Sequence, residues 1–421
     1  MIPISNALKI IDRNTLHLAS EKVKLEDAVG RVLAQNIIAD TDLPPFDRSQ
    51  MDGYAVKAVD TKAVPATLKI VGESAAGRGC HKNLKRGEAV RIMTGAPVPA
   101  GADAVQKLEA TSEFEKYAHV PASARVKRPG TAGQWDTRNI IVSLHEAAEK
   151  GKFIVRKGSE VRKGSKVFQR GDSVTANMIA TLAAFGCVKV TVAKRPRVAI
   201  LATGSEIVDH TKRPKQDQIR NSNTPMLLAF LKQLGISAEK FPISSDNLES
   251  LKMQVEDAAG RSDIVLITGG VSVGKYDLTK PALKEMGAKI LFDRVELKPG
   301  KPTVFAKRRK TLFFGLPGNP VSVAVTFYLF VRRAIMLMQN ATTAELRSGF
   351  AVLEADVKGL RERDTYLPAT LASSQDGRLI AVPLKCGGSS DFVAFARCEA
   401  LVIVPKGKRI QAGEMADVIF L

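Results

Sequence analysis

Residues 263–277 read DIVLITGGVSVGKYD, and the order of residue types in that stretch decides the architecture around it. Four consecutive apolar residues and Thr268, bounded by Asp263 and a Gly-Gly pair, predict a short strand buried on both faces, as strands of parallel sheets are. A helix of about 278–286 follows. Upstream, residues 197–202 (RVAILA) repeat the strand signal and close on Thr203-Gly204. Residues 224–234 then predict an amphipathic helix ended by Gly235, 238–243 a strand, and 247–259 a helix. Downstream, Thr311 to Phe314 opens another strand, and Pro317-Gly318-Asn319-Pro320 breaks the chain before a long helix over 321–338. Strands alternating with helices imply a mainly parallel sheet covered on both faces. In such sheets ligands sit beyond the carboxyl ends of the strands. The turns at Thr203, Gly269 and Pro317 all fall on that edge. This α/β domain is placed at 182–333.

The flanks differ. Residues 25–180 are rich in short β-branched runs, Gly and Pro. Residues 340–421 alternate apolar and polar over short stretches such as 400–404 and 416–421, with a hairpin signal at Gln375-Asp376-Gly377. The fold class expected is multidomain α/β and β. It comprises the central α/β domain, β-rich N-terminal domains and a small β-barrel-like domain at the C-terminal end. The divisions expected are 1–24, a helical segment packing with the central domain; 25–46 with 152–181, an elongated β region; 47–151, an inserted β-rich domain; 182–333; and 334–421.

Composition narrows the function. Lys plus Arg number 63 against 43 Asp plus Glu, a net charge of +20, which attracts anions. The excess is spread along the chain, with a local cluster at residues 307–310 (KRRK), as on a solvated surface. One Trp and five Tyr give little material for a stacking platform, so no nucleic-acid partner is expected. Four lone cysteines without a C-x-x-C pair, and five scattered histidines, yield no zinc pattern and fit a reducing compartment. The first residues lack the character of a signal peptide. The longest apolar run, 321–338, is interrupted by Arg332 and Arg333, so a buried helix is expected there and not a membrane span. A cytoplasmic location follows as an expectation.

Several stretches carry chemistry. In 266–277, glycines allow close approach of backbone to a phosphate, and Ser272 and Asp277 flank the helix start. Asp277 is a hard oxygen ligand suited to Mg²⁺ held against phosphate oxygens, although an ordinary helix cap reads the same way. Neither the Walker A nor the dinucleotide spacing is present. Thr203-Gly204-Ser205-Glu206 places a carboxylate on the same edge. Residues 297–302 (LKPGKP) offer the cations Lys298 and Lys301 between rigid residues. Two further stretches are weak signals taken singly. Residues 43–56 (LPPFDRSQMDGYAV) expose Asp52 at a turn, and 91–99 (RIMTGAPVP) place Thr94 beside Gly95. Cations for an anion and carboxylates for a metal suit phosphoryl or nucleotidyl chemistry through a bound cation. Each turn singly is also what a plain surface loop looks like.

Assembled, these residues resemble the MoeA family of molybdopterin molybdenumtransferases, related to the E domain of gephyrin. PPFDRSQMDGYAV, RIMTGAPVP, ATGSEI, TGGVSVGKYD, LKPGKP and GLPGNPVS occur in family order, and the resemblance spans about residues 4–420. It implies a MogA-like, molybdopterin-binding central domain. The reaction implied takes molybdopterin-AMP and molybdate as substrates, inserts the metal at the dithiolate and releases AMP. The catalytic residues it implies are Asp52, Glu160, Glu206, Asp246 and Asp277, with Asp277, Glu206 and Asp246 holding Mg²⁺ or another divalent cation. The substrate-binding residues implied are Thr94, Gly269, Gly270, Ser272, Lys298, Lys301, Pro317, Pro320, Ser322, Arg363 and Ser389. Lys298 and Lys301 would hold molybdate or a phosphate, completed by Arg363 and Ser389. A homodimer is implied, with Asp52 and Thr94 reaching the cleft from the partner chain, and an adenylyltransferase partner supplying the substrate.

Two positions depart from the family pattern. Residues 156–160 read RKGSE, with Glu160 where the family carries Asp, and Pro368 stands near Arg363 where a second arginine is frequent. The stretch 122–152 is also longer than usual. A MogA-type adenylyltransferase or a CinA-type pyrophosphatase shares only the central domain and lacks MDGYAV. A catalytically silent scaffold of the same family is the alternative from another class.

Overall fold

The computed structural model describes residues 1–115, 140–244, 246–271, 277–385 and 387–421. Ser272 and most of the long stretch 122–152 therefore lie outside the described residues. The chain divides into two compact units, one of residues 1–36 with 169–421 and one of residues 37–168.

The larger unit is built on a six-stranded sheet in the order Ala238–Lys240, Val198–Ala202, Ile264–Thr268, Thr311–Leu316, Val304–Arg308, Lys289–Phe292. The first four strands are parallel. Their side chains alternate between two cores, as a two-residue period demands. Ile200, Leu266 and Phe314 pack on one side with Leu227 and Leu231 of the helix Asn223–Gln233 and with the helix Ile4–Asn14. Leu201, Ile267 and Phe313 pack on the other with Leu251 and Val255 of the helix Leu248–Arg261. All five residues of Ile264–Thr268 are buried, and each large aliphatic side chain so buried contributes about 1.5–3 kcal/mol. The sandwich of helix, sheet and helix is thus the one the apolar runs imply.

Three details differ from the sequence reading. Val304–Arg308 runs antiparallel to both of its neighbours and joins Thr311–Leu316 through a hairpin whose turn is Arg309-Lys310, at φ 53° for Arg309. The strand expected over 238–243 ends at Lys240, because Pro242 has no N–H to give to a ladder. The long helix starts at Pro320, where the missing N–H costs nothing, and widens into a π turn at Phe327–Val331 before continuing to Met338. Its span Pro320–Met338 is long and apolar enough to cross a membrane, but 72% of the window is buried inside the protein.

The C-terminal strands close on themselves. Asp364–Ser373, Leu379–Pro383, Ser348–Leu353, Met415–Phe420 and Ala400–Val404 pair in that order, and the last pairs back to the first. This is a small closed barrel, with the hairpin at Gly377 where expected (φ 81°). Leu297–Lys298 adds to it as a parallel strand beside Asp364 and Thr365, so one short segment joins the barrel to the loop bearing the two lysines.

The smaller unit carries its own six-stranded sheet, in the order Ala104–Lys107, Gly53–Val56, Glu88–Ile92, Ala66–Ser74, Ile140–Leu144, Thr111–Glu115. Its core is formed around Tyr54, Val56, Leu68 and Leu144.

Candidate active site

The loops that follow the parallel strands surround a cleft of about 1130 Å³. Thr203 and Gly204 follow the second strand of that order, Gly269 and Gly270 the third, and Pro317 to Asn319 the fourth. The loop Lys298–Lys301, the start of the helix at Val321 and Ser322, and the barrel residues Arg363, Tyr366, Pro368 and Ser389 complete the wall. Gly269 is glycine for a reason: it sits at φ 95° and a Cβ there would lie 2.4 Å from the carbonyl oxygen of Thr203.

Eleven of the residues named from the sequence line this one cleft: Glu206, Asp246, Gly269, Gly270, Asp277, Lys298, Lys301, Pro317, Ser322, Arg363 and Ser389. Pro320 is not among the lining residues and begins the adjoining helix. Ser272 lies outside the described residues. Asp52, Thr94 and Glu160 belong to the smaller unit.

Lys298 and Lys301 are exposed, Arg363 is half-buried, and none of the three makes an ion pair among the described residues. Three cations therefore face one cleft uncompensated. The barrel loop is tied to the α/β domain by Asn319, whose Nδ2 donates to Ser389 Oγ at 2.7 Å, and by the Val321 N–H, which donates to the Ser389 carbonyl at 3.2 Å. Asn223 braces the same turn by donating to the Gly318 carbonyl at 2.7 Å.

The carboxylates are held differently from one another. Asp246 accepts from the Ser205 N–H and hydroxyl at 3.1 and 2.6 Å. Glu206 folds back over Gly204, where a Cβ would come within 2.6 Å of its carboxylate. Asp277, with only 10% of its side chain exposed, pairs with Lys280 at 3.0 Å. Burial pushes its pKa above the usual aspartate range, while Lys280 pulls against that shift. Its Oδ1 has no hydrogen-bond partner among the described residues. These side chains share the cleft without clustering. Among the described residues no three His, Cys, Asp or Glu side chains gather as a metal cage.

In the smaller unit three motif strings assemble. Asp52 accepts from the Thr94 N–H and hydroxyl at 2.7 and 3.0 Å, which hold its carboxyl below the usual range. Arg48 pairs with Glu160 at 2.9 Å, and Arg156 with Asp47 at 2.6 Å. The longer arm of Glu160 is thus engaged by an arginine of the PPFDRS stretch.

Sequence reasoning did not single out Thr203, Asn319 or Tyr366 as site residues, though all three line the cleft. The first two stand in quoted turns, and their neighbours drew the attention. Tyr366 sits in an alternating strand and carries no local signal. Burial, with Asp364 nearby, pushes its hydroxyl up to about 12, so it remains a proton donor at neutral pH.

A two-sided α/β sheet, a closed barrel and a separate β-rich unit, with a cation-bearing cleft at the sheet's carboxyl edge, define the class: a multidomain α/β and β protein with its cleft at the carboxyl edge of a mainly parallel sheet. Family models describe the parts. The model for the MoeA N-terminal region (domain I and II) matches residues 2–186, that for a probable molybdopterin binding domain matches 199–336, and that for the MoeA C-terminal region (domain IV) matches 351–421. A relative from Bacillus subtilis, named molybdopterin molybdenumtransferase, is 33% identical over 100% of this chain and 94% of its own length. One of the same name from Staphylococcus aureus is 33% identical over 99% of this chain and 95% of its own. Among solved structures, a molybdopterin biosynthesis moeA protein from Pyrococcus horikoshii OT3 matches with a TM-score of 0.80 and 28% identity, covering 100% of both chains. The chain belongs to the MoeA family.

Proposed function

We propose that this chain is a transferase of molybdenum cofactor biosynthesis that inserts molybdate into the dithiolate of adenylylated molybdopterin, with release of AMP. The observation that carries the reading is the convergence of Lys298, Lys301 and Arg363, without carboxylate partners among the described residues, on a cleft that also holds Glu206, Asp246 and Asp277. The names of the full-length relatives support the same activity.

Both reactants are anions, and their mutual repulsion is part of the barrier. Fixed cations in a cleft partly screened from water offset that repulsion without reorganising during reaction. Lys298 and Lys301 hold the molybdate, Arg363 and Ser389 close its site from the barrel side, and the glycines at 269 and 270 admit the phosphate-bearing part of the substrate. Asp277, Glu206 and Asp246 suit a divalent cation such as Mg²⁺. Such an ion is commonly held by one or two carboxylates plus substrate phosphates, and the unpartnered Asp277 Oδ1 is an oxygen of the right kind. When bound, the ion supplies charge neutralisation at the phosphates. Tyr366, protonated at neutral pH, lines the cleft as a candidate hydrogen-bond donor to substrate, and Val271, Leu367 and Pro368 supply apolar wall beside it.

The reading includes a cytoplasmic homodimer in which Asp52 and Thr94 reach the cleft from the partner chain, with an adenylyltransferase partner supplying the substrate. The deciding experiment supplies purified protein with molybdopterin-AMP, Mg²⁺ and molybdate. Expected is AMP release that depends on molybdate, with a product that activates an apo-molybdoenzyme. Tight binding of molybdopterin-AMP without AMP release would overturn the reading in favour of a silent scaffold.

A further inference from the structure

Thr203 ends the strand Val198–Ala202 at the carboxyl edge of the sheet. Its N–H donates to the Thr268 carbonyl at 3.0 Å, and its own carbonyl lies where a Cβ on Gly269 would strike it at 2.4 Å. The backbone is pinned on both sides, so the side chain is held in place. Thr203 is 4% exposed and lines the cleft, yet its hydroxyl has no hydrogen-bond partner among the described residues.

Its buried neighbours behave otherwise. Thr268 donates to the Pro317 carbonyl, Thr279 to the Gly269 carbonyl, Thr303 to the Gly300 carbonyl and Thr326 to the Ser322 carbonyl. Buried hydroxyls pair because an unpaired one is costly. Among the described residues Thr203 departs from that pattern, and it stands beside Gly269 and Gly270, both at positive φ (95° and 60°), where the missing side chains let a ligand approach the backbone closely. The second orphaned polar atom of the cleft, Asp277 Oδ1, follows the same turn.

We infer that the Thr203 hydroxyl is a substrate-binding donor, left unpaired in the free protein and satisfied by a phosphate oxygen of the adenylylated substrate. This rests on the function proposed above and adds a residue that neither the motif reading nor the relatives' names assign. A hydroxyl that pairs only with ligand has a signature that a structural hydroxyl lacks. Its removal weakens binding and does not weaken the free fold.

The test compares Thr203→Val, which keeps the shape and deletes the hydroxyl, with Thr203→Ser, which keeps the hydroxyl. Melting temperature is measured on the free protein, AMP affinity by calorimetry, and KM with molybdopterin-AMP. Expected for Thr203→Val is a melting temperature no lower than that of the wild type, with AMP binding and KM both worsened roughly five- to thirtyfold. Thr203→Ser is expected to stay within about twofold of the wild type on all three. A lower melting temperature with unchanged AMP affinity makes the hydroxyl structural and overturns the inference. Equal AMP affinity and KM in wild type and Thr203→Val overturns it while leaving the proposed activity standing. A wild type that binds neither AMP nor molybdopterin-AMP removes the function reading itself, and the inference with it.

Discussion

Asp277 shows at the scale of one residue why a functional group can work against the fold. Its folded pKa is raised above the ordinary aspartate range, chiefly by burial. A raised carboxylate pKa contributes stability that is present below the unfolded pKa and lost as pH rises through the folded one. At neutral pH the ionised form therefore opposes folding slightly, and Asp277→Asn is expected to leave the melting temperature unchanged or higher while abolishing most turnover. A variant that melts lower with activity intact would contradict this. The same shift sets a pH dependence. Activity that needs the carboxylate falls as pH drops through the raised pKa, so the acid limb of kcat/KM lies above that of an ordinary aspartate. Lys280→Ala removes the cation that pulls the pKa down and is expected to move the limb to higher pH; a shift to lower pH would contradict the assignment. The position of Asp277 at a helix start was legible in the sequence. Its burial, and hence its titration, was not, because both depend on neighbours contributed by the fold.

At the scale of elements, the cleft depends on a few short connections. The loop before the helix Pro320–Thr326 is held to the barrel by the Asn319–Ser389 hydrogen bond, and the two-residue strand Leu297–Lys298 joins barrel and lysine loop through its pairing with Asp364 and Thr365. Asn319→Ala deletes one hydrogen bond of about 1 kcal/mol. Because that bond orients Ser389, the expected result is a rise of roughly three- to tenfold in KM for molybdate, with KM for molybdopterin-AMP little changed. Steady-state kinetics with each substrate varied in turn checks it, and an equal rise in both would show that the bond serves general stability. The parallel core strands and their helices were readable because fully buried apolar runs and glycine stops are local features. The hairpin strands Lys289–Phe292 and Val304–Arg308 were not read, since charged residues at 307–310 mask a strand whose apolar half lies against the core.

For the whole molecule the decisive question is which chain completes which cleft. The two compact units of one chain carry separate groups of the residues that the family resemblance implies for the site: Asp52, Thr94 and Glu160 in one, and the lysines, Arg363 and the remaining carboxylates in the other. If the homodimer works as proposed, a mixture of two inactive variants is partly active. Asp52→Ala and Lys301→Ala chains, dissociated and reassociated one to one, should recover about a quarter of wild-type activity, because half of the dimers are mixed and each of those has one intact cleft. No recovery in verified mixed dimers would place both groups in the same chain's cleft. The sequence by itself determined the alternation of strand and helix, the sheet edge that carries the glycine-rich turns and the family to which the chain belongs, because these reside in local runs, glycine positions and ordered motifs. Only the tertiary structure decided that eleven residues spread from Glu206 to Ser389 share one cleft, that the last strands close into a barrel, and that the Thr203 hydroxyl and Asp277 Oδ1 lack partners among the described residues. Those properties depend on distances between residues far apart in the chain, and sequence spacing does not encode such distances.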